Sequence, residues 1–409
     1  MDQYAEGIAQ RCAHFGDCGG CRLQDVPYPD QLARKSAELE ELLGELWGRP
    51  VPVEASPKVW HYRNKVDLSF SPKWYEHPPA PGFEREPVLG FKTRGRWYKP
   101  LEIVECRIGP PGLSALLTPV RRWMENNNLS AFDSRTRKGF LRILLVRYGK
   151  RTGQRMVVLI TSDGPLDKAS FVEAVQTSWP ADSIYHGIFR GLADVAAAEE
   201  SELIDGAPTI EEELRIPDGK TERVLKFRLS PFSFFQTNTG GAERLYSKVR
   251  AWVKRVEPRY LYDLYGGAGG IAMTCSDLVE RVWSVENVES ATTDGLQNVS
   301  INGVSNVTFA TAKVEVWLKE LLLAKDPGPA AAETAAVVDP PRAGMHRKAT
   351  WRLVEVGPRS LLYISCNPSQ FVRELPALLE AYDIQDVSAV DLFPHTGHVE
   401  LVVEFTRKA

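Results

Sequence analysis

Residues 260–286 read YLYDLYGGAGGIAMTCSDLVERVWSVE, and this stretch decides the fold. An apolar run carries Asp263 at its end, glycines follow at 266, 267, 269 and 270, a helical segment returns, and a second apolar run closes on Glu286. Glycine permits a tight turn and lets a ligand approach the backbone closely. An acidic residue closing the next strand about 20 residues later sits where ribose hydroxyls are bound. The lysine of a Walker-type phosphate loop is missing, which favours an adenosyl ligand over a triphosphate. Without Glu286 the turn would be a feature common to many nucleotide folds.

Outward from this stretch, strands alternate with helical segments from about residue 231 to the end, predicting a doubly wound α/β sheet with ligands beyond the C-terminal strand ends. Asp339 in VVDPPRAG falls at the end of the fourth strand, beside the expected adenosyl ligand, and the two prolines stiffen the turn carrying Arg342. Cys366 ends the apolar run in SLLYISCNP, and Glu400 lies in the histidine-rich turn FPHTGHVEL. A thiol at a strand end and a nearby carboxylate suit replacement of the C5 hydrogen of uracil by methyl. Adding a thiolate at C6 makes C5 nucleophilic, and a base must then remove the C5 proton so that the thiol can leave. His395 and His398 flank Glu400 and are read as shaping its loop rather than as a metal pair.

Residues 59–230 show short alternating segments with a helix near 114–126, which predicts a central, mostly antiparallel α+β domain. Between Lys58 and Arg155 there are 20 Lys+Arg against 8 Asp+Glu, a local +12 in a chain whose net charge is -3. Such a basic third fits a phosphate backbone, so RNA is the expected partner. Residues 1–58 hold cysteines 12, 18 and 21 and a helix expected over 28–46, giving three parts: 1–58, 59–230 and 231–409. No secretory signal and no run long enough to cross a bilayer is visible, so the expectation is a cytoplasmic monomer without a membrane partner.

In a reducing compartment the six cysteines are metal ligands, a nucleophile or core filler rather than disulfides. Cys12, Cys18 and Cys21 are separated by five and two residues, and Cys106 can complete four thiolates. That set suits a [4Fe-4S] cluster or zinc, and spacing does not separate the two. Cys275, in an apolar helix, is expected to be a buried small side chain.

The motifs CAHFGDCGGC, YRNKVDLSF, SPFSFFQTN, DLYGGAGG, VVDPPRAG, ISCNP and FPHTGHVE occur in this order over nearly the whole chain. In them the sequence resembles the S-adenosylmethionine-dependent RNA uracil-5-methyltransferases, most of all the bacterial 23S rRNA branch. The resemblance implies a Rossmann-like class I methyltransferase domain, with Cys366 as nucleophile and Glu400 as base. It implies that Gln236, Tyr265, Gly270, Glu286 and Asp339 hold S-adenosylmethionine, that Phe234 stacks on the target base, and that Cys12, Cys18, Cys21 and Cys106 hold [4Fe-4S]. Three departures accompany it: Gly266 stands where cysteine is usual, Lys313 where an acidic or amide residue is expected, and no N-terminal β-barrel domain precedes the cluster. The target RNA, rRNA or tRNA, is therefore left open. A cytosine-5 enzyme would carry a further cysteine after the proline of DPPRAG, and amino-group methyltransferases would carry an aromatic residue after Pro-Pro. An inert iron–sulfur RNA-binding module would not keep Cys366, Glu400, Gln236 and Asp339 together.

Overall fold

The strand–helix alternation at the C-terminal end builds one eight-stranded sheet. Its order is Val53–Glu54, Tyr382–Val390, Glu400–Arg407, Ser360–Ser365, Thr334–Val338, Tyr260–Leu264, Arg281–Glu286, Val307–Thr311. In this computed structural model the described residues are 11–77, 79–80, 83–324 and 329–409. The central strands TAAVV and SLLYIS are buried at every position, as expected where helices cover both faces. Neighbours are parallel except at Glu400–Arg407, which runs antiparallel between Ser360–Ser365 and Tyr382–Val390. Strand order reverses between Tyr260–Leu264 and Thr334–Val338, the switch point where such sheets bind ligands.

Helix Thr239–Val256 begins at Asn238, whose side chain accepts from the Gly241 amide and so satisfies one free donor of the first turn. Helix Arg347–Val356 stops at Gly357, whose φ of 67° no ordinary residue adopts cheaply. The expected N-terminal helix runs over Tyr28–Leu43 and gives way to a 3-10 turn at Gly44, where φ is 50°. Cys275 is fully buried in helix Gly270–Cys275, as its apolar neighbours predicted.

The basic central region forms a seven-stranded sheet ordered Arg96–Glu102, Pro87–Thr93, Lys65–Pro72, Leu141–Tyr148, Arg155–Thr161, Ser183–Ile188, Glu200–Gly206. Its pairings are antiparallel except one: Arg155–Thr161 and Ser183–Ile188 are parallel. Helix Lys168–Ser178 supplies the crossover that a parallel pair requires, so the sheet is mostly antiparallel, as expected, with one parallel pair. Helix Leu113–Asn126 presents Leu116, Leu117, Val120 and Trp123 to this core.

By compactness the described residues divide into two units: those within 11–27, 58–212 and 229–232 in one, and those within 28–57, 213–228 and 233–409 in the other. This cuts across the grouping of 1–58 as one part. The cysteine segment falls with the mixed sheet, while helix Tyr28–Leu43 places Leu39 and Leu43 in the core of the eight-stranded sheet. Among the described residues, no helix is long and apolar enough to cross a membrane.

Candidate active site

Sheet register collects the candidate residues. Leu264 pairs with both Val285 and Val338, so one step further Tyr265, Glu286 and Asp339 share a row at the C-terminal strand ends. Ser365 pairs with Leu401 as the last pair of the antiparallel ladder, so Cys366 leaves its strand where Glu400 opens the neighbouring one. The two side chains are close enough for the Glu400 charge to act on the thiol, although a helix and a strand separate them in sequence.

The loop after Tyr260–Leu264 is bent hard. Tyr265 has φ 65°, rare for a bulky residue, and Gly267 and Gly269 have φ 54° and 79°. Glu286 is tied into this loop, its carboxylate accepting from the amides of Gly267 (3.1 Å), Asn287 (2.7 Å) and Val288 (2.9 Å). Beneath it, buried Asp263 accepts from Ser284 Oγ (3.0 Å) and the Ala272 amide (3.2 Å). A Cβ at Gly266 would stand 2.1 Å from Ser284 Oγ. The cysteine usual at this position thus has no room beside Ser284, so the departure changes the packing under the loop as well as the turn.

A cavity of about 30 Å³ is lined by Phe234, Gln236, Tyr246, Tyr265, Gly270 and Asp339, among others. Phe234 is 60% exposed, whereas Phe235 is buried and meets Phe227 edge-on at 5.2 Å. Both phenylalanines line the cavity, and Phe234 is the exposed one. Tyr246 carries no motif signal; it reaches the cavity because it lies on the buried face of helix Thr239–Val256. Lys313 is exposed at the start of helix Val314–Leu323.

Electrostatically the site holds its protons. Burial, then the charge of Asp263, pushes Asp339 up to about 7. Burial, then Asp339, raises Glu400 well above the usual carboxylate range, while Arg342 opposes the rise. The Cys366 thiol is pushed up to about 11 by burial and by the Glu400 and Asp339 carboxylates, with Arg342 again pulling the other way. Arg342 is thus the cation acting on both thiol and carboxylate. Asn367 Nδ2 donates to its carbonyl at 2.9 Å, and its guanidinium lies 3.4 Å from His398 Nδ1.

The Glu400 loop is braced from helix Tyr28–Leu43. Lys35 Nζ donates to Asp391 Oδ1 (2.8 Å) and to the Phe393 carbonyl (3.3 Å), and Gln31 Oε1 accepts from the His395 amide (2.8 Å). Asn238 adds a bond to the Leu392 carbonyl at 2.9 Å. His395 is buried beside Gln31 and His398 is exposed beside Arg342, so the two histidines serve different surroundings. None of these braces has a sequence signature, because Gln31 and Lys35 act over more than 350 residues.

In the other unit, Cys12, Cys18, Cys21 and Cys106 all line one cavity of about 400 Å³. The cysteine segment is laid along residues 92–105: Gly19 donates to the Lys92 carbonyl (3.1 Å), Arg94 to the Asp17 carbonyl (2.7 Å), and Ala13 to Glu105 (2.7 Å). Among the described residues, no His, Cys, Asp or Glu side chains converge as a ligand group for a metal ion. Burial raises all four thiols, Cys21 to about 11 and Cys106 to about 12.

Sheet order, switch point and glycine loop define an α/β methyltransferase fold. The family model described as tRNA (Uracil-5-)-methyltransferase matches residues 192–408. A tRNA (uracil(54)-C(5))-methyltransferase of Pyrococcus furiosus is 32% identical over 98% of this chain and 86% of its own length. An uncharacterized RNA methyltransferase of Caldanaerobacter subterraneus is 33% identical over 97% and 84%. The crystal structure of Pyrococcus abyssi tRNA (uracil-54, C5)-methyltransferase with S-adenosyl-L-homocysteine superposes with a TM-score of 0.73, at 30% identity over 95% of this chain and 86% of that one. The chain belongs to the S-adenosylmethionine-dependent RNA uracil-5-methyltransferases and is an enzyme of that family.

Proposed function

We propose that the chain methylates C5 of one uridine in a structured RNA through a covalent adduct at C6. The observation that carries this is Cys366 at the end of the ladder, where Glu400 opens the neighbouring strand and its charge acts on the thiol. The Cys366 thiolate adds to C6, breaking the C5–C6 double bond and making C5 a nucleophile. S-adenosylmethionine supplies the methyl group when bound. Glu400 then takes the C5 proton, the electron pair reforms the double bond, and the thiolate leaves. Arg342 favours the ionised forms of both groups. The strained loop and the row of Tyr265, Glu286 and Asp339 fit the methyl donor, with Glu286 on its ribose and Gln236 and Gly270 along the same cavity. Phe234 stands exposed there for the extruded base.

Cys366→Ala is expected to abolish tritium release from C5-labelled uridine RNA. Glu400→Gln is expected to trap a methylated RNA adduct on a denaturing gel. Normal turnover by the alanine variant would refute the assignment.

We assign Cys12, Cys18, Cys21 and Cys106 to a [4Fe-4S] cluster with a structural role. Zinc needs four ligands gathered about 2.3 Å from one ion, whereas each iron of a cubane takes its own thiolate. What supports the cluster is that all four cysteines line one cavity of about 400 Å³, together with the resemblance of the CAHFGDCGGC motif. Anaerobic reconstitution should yield four irons per chain; one zinc and no iron would reverse the assignment.

For the target, the motifs favour 23S rRNA, while the archaeal relatives named for uracil 54 favour a tRNA. Mass-spectrometric mapping of 5-methyluridine in rRNA and tRNA from a deletion strain separates the two.

A further inference from the structure

The hairpin of Pro87–Thr93 and Arg96–Glu102 ends the mixed sheet, its second strand forming the sheet edge. Residues 87–101 contain Lys92, Arg94, Arg96 and Lys99 and no acidic residue. Trp97 is 81% exposed and Tyr98 54% exposed, their rings edge-on at 6.0 Å. Nearby, Lys99 lies 4.7 Å over the Trp74 ring. Arg94 and Arg96 are exposed and enter no ion pair among the described residues. A tryptophan left this open on an edge strand loses the gain its burial would bring.

We propose that this hairpin tip is a docking surface for unpaired RNA, with Trp97 and Tyr98 stacking on nucleobases and Arg94, Arg96 and Lys99 facing phosphates. The inference deepens the RNA methyltransferase reading and rests on it for the class of partner. Stacking on an aromatic face is sequence-tolerant, and a cationic rim draws the backbone to the rings. The combination suits single strands and loops, because paired bases in an A-form helix offer no free face. The tip is held by the cysteine segment through the Gly19–Lys92 and Asp17–Arg94 backbone bonds and by a bridge between Cys18 and Thr93. The rings are therefore presented from a fixed turn.

The test uses the full chain carrying its cluster, with two fluorescent probes of equal length: a 15-nucleotide oligouridine and an RNA duplex. Trp97→Ala with Tyr98→Ala should weaken oligouridine binding at least tenfold, and change duplex binding less than threefold. Trp97→Phe should keep the oligouridine affinity within about threefold of the parent. S-adenosylmethionine binding measured calorimetrically should be unchanged in every variant, which separates lost stacking from lost folding. Unchanged oligouridine affinity in the double variant overturns the proposal. An equal loss on both probes also overturns it, since the hairpin would then be a charge contact only. Tritium release by the parent enzyme is scored separately. Methylation with an indifferent hairpin sinks the surface alone, and a stacking hairpin on a chain that releases no tritium sinks the methyltransferase reading alone.

Discussion

Replacing Lys35 with Met tests whether the N-terminal helix holds the loop that carries Glu400. The Lys35 and Asp391 side chains are only 1% and 0% exposed, and their atoms meet at 2.8 Å. Removing the ammonium leaves a carboxylate buried without its counter-charge, a change that costs about 3–5 kcal/mol. The bond to the Phe393 carbonyl is lost as well, while Asp391 keeps the Phe393 amide at 2.9 Å. In a body of this size, about 3–5 kcal/mol corresponds to a melting temperature lower by roughly 6–20 °C. Urea unfolding of parent, Lys35→Met, Asp391→Asn and the double variant gives the coupling directly. The double variant should recover at least half of the loss, because no uncompensated charge remains. If the loop is the element that loosens, tritium release should fall further than affinity for S-adenosylmethionine. A single-variant cost below about 1 kcal/mol would show that water reaches the pair, and the brace would then be no more than a surface contact.

Three further outcomes follow from the same geometry. Glu400→Gln removes a carboxylate whose ionised form raises the Cys366 thiol, so iodoacetamide should modify Cys366 faster in the variant at the alkaline end of a pH series, by peptide mass spectrometry; coincident curves would separate the two side chains. Asp339 is raised in the fold to about 7. The stability that its protonated form contributes is therefore complete below the unfolded value near pH 4 and lost as pH rises through about 7. Asp339→Asn should flatten this fall by up to about 1.4 kcal/mol per pH unit in urea titrations from pH 5 to 8; parallel curves would refute it. Gly266→Ala should cost about 1–3 kcal/mol in urea unfolding through the overlap with Ser284 Oγ and Asp263 Oδ2; an unchanged midpoint would refute it.

The candidate site of this protein was legible in its sequence because each of its parts is local. A glycine turn with an acid at the next strand end, a proline-stiffened turn after Asp339, and a thiol closing an apolar run each declare themselves within a few residues. The strand–helix alternation likewise foretold the α/β sheet, since periodicity is a property of the segment itself. Tertiary structure decided what depends on register and on distant partners. It brought the end of the Cys366 strand to the start of the Glu400 strand, Gln31 and Lys35 to the Glu400 loop, and Cys106 to the cavity of the three N-terminal cysteines. It also separated Phe234 from Phe235, two adjacent rings of which one is exposed and the other buried. The parallel strand pair of the mixed sheet escaped notice for the same reason: a strand's own side chains record which face is buried, and not the direction of the neighbour to which it bonds.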